Sequence, residues 1–111
     1  MRKRFRGHSW SEFLNPKSGD MLFVKFVFSE KYGGVEEFIV VYLASVAEKP
    51  VEVVKYDCSE KEAVHIHGFV AGKKEKKYIK REKSFETLEE FIGDIRNNWR
   101  FYKSRFMEGK P

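Results

Sequence analysis

The chain has no glutamine, one cysteine, three prolines and no long apolar run. Each scarcity excludes something. Without about 18 consecutive apolar residues there is no transmembrane helix. A lone Cys58 excludes an internal disulfide and fits a reducing compartment, so a cytoplasmic location is expected. The charged stretch Met1–Arg6 is followed by no apolar segment, so no secretory signal is expected. No internal repeat or low-complexity linker divides the 111 residues, which are enough for one core and one domain, 1–111. The glycine pair Gly33-Gly34 is not followed by Gly-Lys-Ser/Thr, which excludes a phosphate loop.

What is present is apolar and charged at once. Hydrophobic residues make up 41% and aromatics 16%, too much for a disordered chain. Charged residues make up 35%, rich in Lys and Glu; with glutamine absent, this composition suits a thermophile protein, and a thermophilic source is an expectation. The net charge is +5, and the basic residues cluster. Arg2, Lys3, Arg4 and Arg6 form an N-terminal arm. Lys73, Lys74, Lys76, Lys77, Lys80, Arg81 and Lys83 crowd one segment, and Arg96, Arg100, Lys103 and Arg105 lie near the C-terminus. Such clusters suit a polyanion such as RNA or DNA. The same lysines are also what a solvated thermophile surface carries. The expected nucleic-acid contacts are Arg2, Lys3, Arg4, Lys73, Lys74, Lys76, Lys77 and Arg81.

Hydrophobic periodicity predicts the fold. Residues 1–20 form a basic, aromatic arm without clear period, and Phe5, Trp10, Phe13 and Leu14 suggest a short helical or irregular segment ended by Asn15-Pro16. Met21–Ser29 alternates as a strand, and Lys31-Tyr32-Gly33-Gly34 reads as a hairpin turn. Val35–Ser45 is apolar on both faces over 38–43, the mark of a central strand or of one meeting another subunit. Val51–Asp57 and Ala63–Val70 follow. A charged strand Lys76–Arg81 comes after the turn Ala71-Gly72-Lys73-Lys74 and suits a sheet edge. From Ser84, a natural cap, the period changes. Leu88, Ile92, Ile95, Trp99, Tyr102 and Phe106 recur every three or four residues, with acids early and bases late, and Gly109 and Pro111 follow. The expected architecture is α+β. An antiparallel β-meander of 4–5 strands over 21–81 carries a long amphipathic C-terminal helix, 85–107, packed on one face.

One stretch sets titratable groups into plain strand: Lys55-Tyr56-Asp57-Cys58, then His65-Ile66-His67. Two of the three histidines are two residues apart, so a strand points both to one face. Lys55 and Asp57 join that face in one register, whereas a one-residue slip would bring Tyr56 there. Two imidazoles near neutrality could serve as base and acid on an RNA 2′-hydroxyl, with Lys55 stabilising phosphate charge and Asp57 orienting a histidine. The catalytic candidates are therefore His65, His67, Lys55 and Asp57. The same pair is also half of a metal site, or a surface pair beside acids. Two ligands close no zinc site, so no metal or cofactor is expected. Cys58 would be a nucleophile only in an electropositive setting. Trp99 and Tyr102 fall on the apolar stripe and are expected in the core; Trp10 is the freer aromatic.

Lys55-Tyr56-Asp57, a short turn, an H-x-H strand, a Lys-rich strand and a helix containing Asp94-Ile95-Arg96-Asn97-Asn98-Trp99 resemble the TumE-type small toxin-like proteins of prokaryotic toxin–antitoxin modules, over residues 51–107. Lys55 stands where those relatives usually carry Arg, and Ser59-Glu60-Lys61-Glu62 stands where they often carry a further His. The resemblance implies a small cytoplasmic toxin-like protein acting on RNA, with an antitoxin partner. Three functions stay open: a metal-independent ribonuclease, a nucleic-acid-binding module without chemistry, and an interaction domain that dimerises or meets an antitoxin through strand 38–43.

Overall fold

The computed structural model describes residues 6–29 and 34–108. Six strands form one antiparallel sheet in sequence order: β1 Arg6–Asn15, β2 Asp20–Ser29, β3 Gly34–Val46, β4 Lys49–Ser59, β5 Glu62–Val70 and β6 Lys73–Tyr78. One helix, α1 Phe85–Met107, follows and lies on one face. No helix among the described residues is long and apolar enough to cross a membrane.

Six strands replace the expected four or five because the N-terminal segment is β1, not a helix. Its alternation is real but mixed. His8 stacks on Phe26 and Trp10 meets the same ring edge-on, while Ser9 and Ser11 take the other face. A half-exposed edge strand needs no clean apolar stripe, which is why its period is weak. The turn to β2 is built by Asn15, whose side-chain oxygen accepts from Lys17 N at 3.0 Å. Gly19 at φ 80° completes it. The charged strand also starts earlier than expected, at Lys73. Ala71 and Gly72 both hold positive φ, a two-residue hairpin that needs no further turn residues. The expected turn at 31–33, the arm residues Arg2, Lys3 and Arg4, and the helix-stopping Gly109 and Pro111 lie outside the described residues.

β3 is flanked on both sides, in accord with its two-sided apolar run. On the helix face Leu22, Val24, Phe38, Val40, Tyr42, Val54, Tyr56 and Cys58 meet Leu88, Phe91, Ile92, Ile95 and Trp99. Phe91 stacks on Tyr56 at 3.9 Å between centroids and meets Phe38 edge-on. Trp99 sits edge-on to Tyr42, and Phe106 to Phe69. Each large apolar side chain so buried contributes about 1.5–3 kcal/mol. The stripe residues are in the core as expected, with Tyr102 half-buried. Ser84 caps the helix, its hydroxyl accepting from Thr87 N at 3.2 Å.

Candidate functional site

The register of β4 and β5 decides what the histidines meet. Asp57 pairs with His65 and Lys55 with His67. The turn is Glu60-Lys61, and a bulge follows in which β4 spends Cys58 while β5 spends Ala63 and Val64. The pairing is thus offset from the one that would set Asp57 against Ala63, but its parity is kept. Lys55, Asp57, His65 and His67 share the face opposite α1, and Tyr56 and Ile66 share the helix face. β6 adds Tyr78 opposite His65 and Lys76 opposite His67.

The two imidazoles have different surroundings. His65 is 1% exposed, wedged against His67 and Tyr78 with ring centroids at 4.8 and 5.7 Å. Its Nδ1 lies 2.8 Å from the Ala63 carbonyl. A carbonyl only accepts, so Nδ1 carries the proton. Nε2 has no hydrogen-bond partner among the described residues, although Glu62 Oε1 is 3.3 Å away and Asp57 Oδ2 3.7 Å. His67 is half-buried, and desolvation, followed by the charges of His65, Lys55 and Lys74, holds it below the ordinary imidazole value. The ligand atoms of Asp57, His65 and His67 all lie within 4.8 Å of one another.

Acids and bases alternate around this cluster. Lys55 Nζ is 3.6 Å from Glu52 and 3.7 Å from Asp57. Lys74 reaches Glu52 at 3.7 Å, and Lys76 reaches Glu62 at 2.7 Å. Tyr78 donates to the same Glu62 oxygen at 3.0 Å. Hydrogen bonds from Lys76 and then Tyr78 hold the Glu62 carboxyl below the usual carboxylate range.

The four expected catalytic residues are therefore brought together, but not in equivalent roles. An acid–base pair needs both groups within reach of substrate; His65 is buried, and His67 is the imidazole with an open side. Cys58 faces the core, and burial pushes its thiol up to about 11, which removes it as a nucleophile. Glu62 and Glu52 join the cluster beyond the residues expected there. Their signal is the charge alternation of the hairpin, readable only once the register is known.

The expected nucleic-acid residues divide by pairing. Lys74 and Lys76 are held by Glu52 and Glu62, and Arg81 by Glu90 at 3.2 Å. On the helix Arg96 grips Glu12, Lys103 lies 3.2 Å from buried Asp20, and Arg100 covers Trp99. Lys73 and Lys77 are exposed on β6 and Lys80 just beyond it; none has an acid within ion-pair distance among the described residues.

Fold and site define a six-stranded antiparallel meander backed by one helix, with an Asp-His-His cluster on its helix-free face. The chain belongs to the family Domain of unknown function (DUF7718), whose model matches residues 8–111. No curated protein and no solved structure matches it.

Proposed function

We propose that this chain binds nucleic acid along its edge strand β6. The supporting observation is the state of Lys73, Lys77 and Lys80, which are exposed and make no ion pair among the described residues while neighbouring bases are paired. Strand alternation sends Lys73 and Lys77 to the side opposite Lys74 and Lys76. Lys73 and Lys77 flank the exposed Glu75 on that side and Lys80 lies beyond the strand, so the edge is net cationic in a chain of net charge +5 and attracts a phosphate backbone without reading sequence. Binding without chemistry is favoured over two-histidine cleavage because His65 is enclosed.

The test is fluorescence anisotropy with labelled RNA and DNA strands over a range of salt. Affinity should fall as salt rises. In the variant Lys73→Ser/Lys77→Ser/Lys80→Ser the slope of log affinity against log salt should be shallower, by about 0.7–0.9 for each phosphate no longer neutralised. Binding that ignores salt, or is unchanged in the variant, removes the proposal. Cut RNA that disappears in His67→Ala would support the toxin-like ribonuclease instead.

A further inference from the structure

We propose that Asp57, His65 and His67 form a binding site for one divalent first-row transition metal ion of the zinc class, held by two imidazole nitrogens and one carboxylate oxygen on the helix-free face of the sheet. The proposal is independent of the nucleic-acid reading. It rests on a lone pair that nothing among the described residues satisfies. His65 donates from Nδ1 to the Ala63 carbonyl, so its Nε2 presents a bare lone pair. That atom is fully enclosed and has no hydrogen-bond partner among the described residues. Carboxylate oxygens of Glu62 and Asp57 lie 3.3 and 3.7 Å from it. An enclosed lone pair facing anionic oxygens is unfavourable until a cation stands between them.

The rest of the site has the form such an ion requires. A backbone carbonyl fixing the far nitrogen of a histidine is the usual support of a metal-bound imidazole. His67 and Asp57 complete a cluster whose donor atoms lie within 4.8 Å of one another. Around a tetrahedral zinc ion the same atoms would stand about 3.3 Å apart, so closure takes up to about 1.5 Å of side-chain movement. The His67 and Asp57 side chains, both part-exposed, can supply it. Two nitrogens and one oxygen favour zinc, cobalt or nickel over magnesium or calcium, which prefer oxygen shells. Three protein ligands leave a fourth position facing solvent, as in open rather than closed zinc sites.

The rival occupant of the gap is a proton, which would make His65 an imidazolium ion paired with Glu62 and Asp57. Metal-stripped, untagged protein titrated with Co2+ separates the two. One Co2+ should bind per chain with visible bands of nitrogen and oxygen ligation, and Zn2+ should displace it. The melting temperature should rise with the metal. His67→Ala and Asp57→Asn, at part-exposed positions, should each weaken binding by more than about 100-fold, beyond the ~10–100-fold expected of a group that only orients a ligand. Glu62→Gln should keep the one-to-one stoichiometry. Failure to bind one ion per chain would overturn the proposal. So would equal binding in folded His67→Ala, or loss of binding in Glu62→Gln alone.

Discussion

The Tyr56 hydroxyl donates to the Asp94 carboxylate at 2.6 Å, joining the middle of β4 to the middle of α1. Tyr102 donates to the same oxygen, and Asn98 donates to the other at 2.8 Å. The two segments that look like separate motifs in the sequence, Lys55-Tyr56-Asp57 and Asp94–Trp99, are thus one structural unit on the helix face. The chemistry-bearing neighbours Lys55 and Asp57 point the other way. Tyr56 is buried, and desolvation, then the hydrogen bond to Asp94, raises its phenol far above the ordinary value. It is a neutral clamp at any physiological pH.

Tyr56→Phe should therefore destabilise the fold by about 1.5 kcal/mol, the scale of one hydrogen bond to a charged group. Asp94 keeps two other donors, which limits the loss. Metal binding at the opposite face should not change. Urea unfolding with Co2+ titration on the same variant checks both halves, and a variant that loses metal affinity while keeping its stability would contradict the division between faces.

Ile95 lies at the centre of the helix–sheet contact and is fully buried. Ile95→Asp removes a packed side chain and places a carboxylate in the apolar core. The expected cost is about 4 kcal/mol or more. A melting temperature equal to that of the unsubstituted chain would show that α1 does not pack as described.

Much of this arrangement is legible in the sequence where a buried face imposes its period. The helix stripe, the Ser84 cap and the two-sided apolar β3 all follow from residues that must leave water. β1 is not legible, because an edge strand beside solvent tolerates His8, Ser9, Trp10 and Ser11 in turn. Nor is the β4–β5 register, which depends on a bulge at Ala63–Val64 that no residue type announces. The shared face of His65 and His67 is readable from their spacing, but the enclosure of His65 is not. It comes from Tyr78 and Glu62, brought alongside by the folded hairpins.

A second polar cluster predicts acid sensitivity. Asp20 is fully buried at the start of β2. Tyr42 donates to it at 2.5 Å, Ser18 donates as well, and the Lys103 ammonium lies 3.2 Å away. Burial pushes its carboxyl up, but these three donors outweigh burial and hold it below the usual range. A carboxyl with a folded pKa below its unfolded value of about 3.9 stabilises the fold above that pH. The contribution is lost as pH falls from there through the folded pKa. Urea midpoints measured from neutral pH down to about pH 2 should fall less steeply in Asp20→Asn, which should also be less stable at neutral pH. Parallel profiles would assign the acid sensitivity to other carboxylates.

The hairpin between β3 and β4 predicts a gain instead of a loss. Ala47 and Glu48 sit at φ 51° and 65°, the left-handed conformation of a type I′ turn, although neither is glycine or asparagine. Each such residue costs about 1–2 kcal/mol in this region. The double substitution Ala47→Asn/Glu48→Gly supplies the residues the turn favours, and part of the relief is offset by the greater freedom of glycine in the unfolded chain. A net stabilisation of about 1 kcal/mol is expected, with no change in metal binding, since both turn residues lie at the opposite end of β4 from the Asp57–His65 pairing. The opposite sign is expected at the equivalent turn between β5 and β6, where Gly72 already holds φ 80° and Gly72→Ala forces an ordinary side chain into it. Thermal melts of the two variants should move in opposite directions; a shared direction would mean that the turns are not the strained type I′ pair described.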